Sequence, residues 1–249
     1  GPSQFELGAF YALGTAVSKN EGEAARLYEL AAIQGIAAAQ YNLAALHKKG
    51  IEGVRNDEKA LYWLKLSAKQ GFEFAQHDLG IEHLKYSGVK NDEKAFKWIQ
   101  RAAKKKFAPA QRVLGAMYEI GRGVPIDIKK ALQFSMSALD KGDIIAHHNV
   151  GLMYLRGKGV QKDEKKAFEL INFSAQEGYL ESNCVLGVMY LGGKGVEKNM
   201  TKAIQCLQSA ADRGHVPARS MLNLLSGRSS LQDFADIMRN AYNPSIGIF

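Results

Sequence analysis

The sequence predicts an all-α fold, a solenoid of antiparallel helix pairs, and three observations predict it. A small residue recurs as Ala39, Ala75, Ala110, Ala146, Ser182 and Ala218 at spacings of 35 or 36 residues, with Ser3 one period upstream. A fixed period of this length is the signature of stacked supersecondary units. Around each anchor the apolar residues fall at helical spacing, positions 4, 5 and 8 beyond it sharing one face of a 3.6-residue period. The third observation is the placement of the 25 glycines, which fall where helices would end or touch, while only 5 prolines interrupt the chain.

Each unit begins with a first helix. Its fourth position carries an aliphatic: Leu7, Leu43, Leu79, Leu114, Val150, Leu186 and Leu222. The next position is Gly8, Ala44, Gly80, Gly115, Gly151 or Gly187, small enough for a neighbouring backbone to approach closely. Three residues on stands a ring: Tyr11, His47, His83, Tyr118, Tyr154 or Tyr190. A loop such as Gly157-Lys158-Gly159-Val160 or Gly193-Lys194-Gly195-Val196 follows. Asp57, Asp92, Asp163 and Asn199 are then expected to cap the second helix by accepting backbone N–H bonds. That helix carries an alanine fifteen residues before the next anchor, as in Ala60 and Ala167, and a second one seven or eight residues before it, as in Ala68 and Ala175. It ends at Gly35, Gly71, Gly142, Gly178 or Gly214, each suited to a left-handed closing residue.

The run Ala146-His147-His148-Asn149-Val150-Gly151-Leu152-Met153-Tyr154, followed by Gly157-Lys158-Gly159-Val160 and Lys166-Ala167, resembles the Sel1-like repeat, a relative of the tetratricopeptide repeat. The resemblance covers residues 3–227 as six full repeats and the first helix of a seventh. It implies a right-handed superhelical α-solenoid whose first helices line a concave face, used as a non-enzymatic adaptor for a protein or peptide partner. A regulator that wraps an enzyme is the alternative in another functional class. A cysteine-rich branch of the family is linked to penicillin binding, but its paired cysteines are missing from this chain, so that link does not carry over.

The pattern breaks in three places. Residues 15–20 lack the Gly-x-Gly-Val loop. In the third unit the closing glycine is replaced by Lys106, within a basic patch of Arg101, Lys104, Lys105 and Lys106. Past residue 227 the repeat fades. Leu231, Phe234, Ile237 and Met238 give residues 231–242 one apolar face, so 228–249 is expected to hold a capping helix and the apolar tail Ile246–Phe249.

Composition excludes several classes of function. With 46% hydrophobic and 23% charged residues the chain is globular rather than disordered. Two cysteines, Cys184 and Cys206, allow neither a disulfide framework nor a cysteine-rich zinc module, and free thiols are the expectation. No His-Glu-x-x-His occurs among the six histidines, and no metal or cofactor is expected. Gly121-x-Gly123, Gly157-x-Gly159 and Gly193-x-Gly195 follow no strand and lead to no Walker lysine, so they read as loops between helices. No serine sits in a nucleophile elbow, and no enzyme activity is expected. A formal charge of +8 without interleaved aromatics argues against nucleic acid and leaves an anionic lipid surface as the lesser alternative to a protein partner.

Gly1-Pro2-Ser3 has the form of a tag-cleavage scar, so the lack of a signal peptide is uninformative. Low cysteine usage leans toward a cytoplasmic protein or an effector secreted without disulfides. Oligomeric state is not legible.

On the first helices, residue types that vary between copies are expected to face the groove. Positions 2 and 3 after the anchor supply Tyr41, Asn42, His77, Asp78, Arg112, His148 and Asn149; positions 9 and 10 supply Lys48, Lys49, Lys85 and Arg156. By the resemblance, Asn42 and Asn149 would clamp the backbone of an extended peptide, and Arg112 and the lysines would take its carboxylates.

Overall fold

A computed structural model describes residues 2–51, 53–86 and 88–227. The expected capping helix and tail lie outside them. The first helices of the repeats are α1 (Pro2–Leu13), α3 (Ala37–Lys49), α5 (Glu73–Leu84), α7 (Ala108–Ile120), α9 (Ile144–Arg156), α11 (Leu180–Gly192) and α13 (Val216–Leu225). The second helices are α2 (Glu21–Ile33), α4 (Asp57–Lys69), α6 (Val89–Lys104), α8 (Ile128–Leu139), α10 (Glu164–Gln176) and α12 (Met200–Asp212). Among the described residues the one β feature is an isolated bridge between Ile51 and Val54.

The second helices start on side-chain caps. Asn20, Asn56, Asp127, Asp163 and Asn199 each accept from the backbone N–H three residues on, at 2.9–3.0 Å. Two expected caps are therefore corrected. Asn56 caps α4 and Asp57 is its first residue. Asp92 is the counterpart of Asp57, one residue past the cap register that Asn91 holds in the third repeat; Asn91 and Asp92 both lie inside α6, which begins about a turn early after Gly88 and has no side-chain cap. At the other end, Gly35, Gly71, Gly142, Gly178 and Gly214 close the second helices with φ between 77° and 91°. Lys106 occupies the same place with φ 63°, the one left-handed non-glycine residue among those described. Helix ends leave carbonyls without intrahelical partners. The residue after the anchor supplies them: the Gln40 amide donates to the Ala32 carbonyl, Gln76 to Ala68 and the Arg219 guanidinium to Ala211, at 3.0–3.2 Å.

The chain divides into two compact units, residues 1–110 and 111–249. In the first, α1–α6 pack in sequence around two clusters. One gathers Ala24, Tyr28, Ala31, Ala32, Ala39 and Leu43; the other gathers Ala44, Leu64, Ala68, Ala75 and Leu79. In the second unit Leu152, Leu155, Ile171, Val185 and Met189 form one core, and Cys184, Val188, Leu207, Ala218 and Met221 form the next. The anchors from Ala39 to Ala218 are all fully buried. Among the aliphatics four residues on, Leu43, Leu79, Leu114, Val150 and Leu186 are at most 4% exposed, whereas Leu7 is 41% exposed. The small position behaves as expected. A Cβ on Gly115 would lie 2.5 Å from the Ser135 hydroxyl and 2.9 Å from the Ala131 carbonyl, so α7 and α8 meet almost backbone to backbone. Cys184 and Cys206 are free thiols.

Candidate partner-binding site

The predicted residues of the first unit come together around α3 and α5. The Tyr41 hydroxyl donates to Asp78 Oδ2 at 3.0 Å, and Asp78 Oδ1 stands 3.0 Å from His77 Nδ1, so one carboxylate joins the two rings. Burial, with the Asp78 charge second, pushes the Tyr41 hydroxyl pKa up and keeps it a donor. The His77 ring packs edge-on to Phe107 at 5.5 Å, and its Nε2 is buried without a partner. Lys48 and Lys85 both reach Glu82, at 3.1 and 2.9 Å, while Lys49 pairs with Glu21. Asn42 shares a hydrogen bond with the Tyr28 hydroxyl.

Of these groups Tyr41, Lys48, Asp78 and Glu82 border a recess of about 260 Å³. Its floor is apolar, from Ala44, Ala45, Ala60, Leu61, Leu64 and Leu79. Tyr41, Lys48, Arg55, Asp78, Glu82 and Tyr86 stand at its walls, with Lys65 and His83. Arg55 is tied to Asp57 at 2.7 Å. An apolar floor ringed by charges of both signs can seat one uncharged side chain of a partner and orient the chain that carries it. Arg55, Leu61, Lys65, Glu82 and Tyr86 were not among the residues expected from sequence. They lie on a loop, on a second helix or at positions that the repeat pattern does not mark as variable.

In the second unit the expected placement needs correction. Arg112, His148 and Asn149 are buried, at 8%, 4% and 8% exposure, not groove-facing. Arg112 pairs with Asp143, which also caps α9 by accepting from Ala146 N–H. The His148 Nδ1 lies 2.8 Å from the Ser182 hydroxyl, which donates to Ser174. Burial above all, then the nearby Arg156 charge, drives the His148 pKa down to about 3, so the ring is neutral at pH 7. Arg156 itself is exposed. The physical reason is common to Arg112 and His148. Side chains on a helix lean toward its N-terminus, and position 2 there meets the start of the next repeat, as Tyr41 meets Asp78, Arg112 meets Asp143 and His148 meets Ser182. The residue type varies because each is matched to its neighbour, not because it faces water.

The ring position is also explained. Lys130, Lys166 and Lys202 place their ammonium groups 4.6–5.7 Å from the rings of Tyr118, Tyr154 and Tyr190. In the second and third repeats the ring is His47 or His83. Burial first, then the charges of Lys59 for His47 and of Lys94 and Lys65 for His83, push their pKa down.

The basic patch is partly structural. Lys105 Nζ donates to the Gly71 carbonyl and lies 3.7 Å from Glu73. Arg101 stacks over Trp98 at 4.6 Å, and Lys104 is exposed.

Comparison with known proteins matches this geometry to a family. The Sel1 repeat family matches residues 1–36, 37–72, 74–107, 108–143, 144–179 and 180–215. A Sel1 repeat protein from Oxalobacter formigenes is 30% identical, with 84% of each chain covered and a TM-score of 0.76. A protective antigen of uropathogenic Escherichia coli with an SLR fold is 28% identical at a TM-score of 0.74; 99% of this chain is covered, spanning 54% of that one. An immunity protein from Pseudomonas aeruginosa shares the fold at 18% identity and a TM-score of 0.52, with 87% of this chain and 83% of that one covered. Comparison with curated proteins gives no match. Six consecutive matches, in register with the helix pairs and their closing turns, place the chain in the Sel1 repeat family.

Proposed function

We propose that the chain is a non-enzymatic adaptor that holds a segment of a protein partner against the first unit, with a partner side chain in the recess between α3, α4 and α5. Sel1 repeats mediate protein–protein interactions in general, and their fold is that of an interaction scaffold. The observation that carries the finer reading is the recess itself, where Tyr41, Lys48 and Asp78 meet Arg55, Leu61, Glu82 and Tyr86 around an apolar floor. An apolar pocket with a charged rim is the usual form of an interface hot spot, where a few residues carry most of the affinity. Tyr86 is 63% exposed, so it is free to lie against a bound chain.

The test starts with the protein caught from its native cell by the full chain and identified by mass spectrometry. The variant Arg55→Ala/Tyr86→Ala should weaken its binding about tenfold or more, at an unchanged melting temperature. Undiminished affinity would remove the recess from the site. Arg112→Ala is unsuited to this purpose. It strands the buried Asp143 carboxylate and would lower affinity through instability.

A further inference from the structure

The chain's excess charge has an address. Residues 89–106 hold seven cations against two acids, five of the eight net positive charges of the whole chain. Five of those cations, Lys90, Lys94, Lys97, Arg101 and Lys104, are spaced 4, 3, 4 and 3 residues apart on α6 and are all exposed. At 100° per residue they fall within about 40° of one line along the helix, opposite the buried Ala95, Ile99, Ala102 and Ala103. The row is about 21 Å long at 1.5 Å per residue. Among the acids of α6 only Glu93 borders it, and among the described residues no ion pair involves any of the five. The early start of α6, which swallows the cap register at Asn91, is what adds Lys90 to the row. It also leaves Val89 76% exposed.

From this arrangement we infer that the outer flank of α6 is a docking surface for an anionic lipid bilayer. A straight row of cations on a rigid helix suits a plane of phosphate and carboxylate head groups, each cation near such a surface adding to binding. Val89 gives the row an apolar end of the kind that settles at the head-group boundary. A nucleic acid would have no use for the exposed valine, and Trp98, the ring beside the row, is packed against the core and lies under Arg101 rather than open to a base. The apolar face of α6 is committed to the repeat core, and no helix of the described residues is long and apolar enough to cross a membrane. Attachment is therefore peripheral, held by charge and sensitive to salt. It uses a surface other than the recess, so an adaptor holding its partner there could be held at a membrane at the same time.

Sedimentation of the full chain with phosphatidylcholine vesicles, with and without 30% phosphatidylserine, tests this. Binding should require phosphatidylserine and fall as salt rises. Lys97→Glu/Arg101→Glu should weaken it roughly tenfold or more. Lys165→Glu/Lys198→Glu, the same charge change on exposed positions of the second unit at the start of α10 and just before α12, should leave it within about twofold. Thermal melts of both variants guard against misfolding. Equal binding to both kinds of vesicle, no binding to either, or equal losses in the two variants would overturn the assignment.

Discussion

At the scale of single residues, the sequence signals that vary between repeats turned out to be pairs rather than surface. His148 shows this most clearly. Its type differs from Tyr41, Arg112 and Cys184 at the same position, yet it is buried against Ser182 and Tyr179. A ring held neutral by burial makes stability depend on pH. The unfolded chain takes up a proton below about pH 6.5, whereas the folded His148 does so only at about 3. The unfolded state thus binds more protons between these values, and stability is complete above pH 6.5 and lost as pH falls. His47, His83 and His215 are displaced in the same direction, with burial the leading cause in each. Denaturant unfolding at pH 5 should show a loss of roughly 2 kcal/mol from His148 alone relative to pH 7. The slope between pH 5 and 6.5 should flatten in His148→Gln. A pH-independent stability across that window would contradict the buried, neutral ring.

At the scale of elements, the repeat pattern carried most of the fold. Helix ends, close-packing glycines and the order of first and second helices were all legible, because backbone geometry leaves few residue types able to serve there. The exceptions have local causes. Asp57 reads like a cap, but Asn56 before it has the extended backbone that a cap requires. The start of α6 was not legible because Gly88 lets the chain enter the helix before the Asn91 register. The end of α6 was legible in part: Lys106 stands where the other repeats have their closing glycine, and it takes the same left-handed turn, with φ 63°. A left-handed backbone costs a residue with a Cβ about 1 kcal/mol relative to glycine. Lys106→Gly should therefore raise the unfolding free energy by about 1 kcal/mol in a urea titration. A lower value would mean that the lysine side chain stabilises the turn by more than its backbone strains it.

At the scale of the whole molecule, the chain is two compact units built from one repeated motif, and the recess lies wholly within the first. Its position could be read only in part from sequence. Tyr41, Lys48 and Asp78 were expected there, since they sit on first helices where partner contact was anticipated. Arg55 on a loop and Leu61 on a second helix were not, because a recess forms where neighbouring repeats fail to fill the space between them. That is a property of packing across units about 36 residues apart, not of any one motif. The buried Arg112, His148 and Asn149 leave the polar groups of α3 and α5, with the exposed Arg156 on α9, as the remaining predicted surface for a partner. Amide hydrogen exchange of the full chain, free and saturated with its captured partner, tests this most directly. The account predicts slowed exchange in the loop through Val54–Asn56 and around Lys85–Tyr86, which border the recess. Slowing confined to residues 111–227 would contradict it.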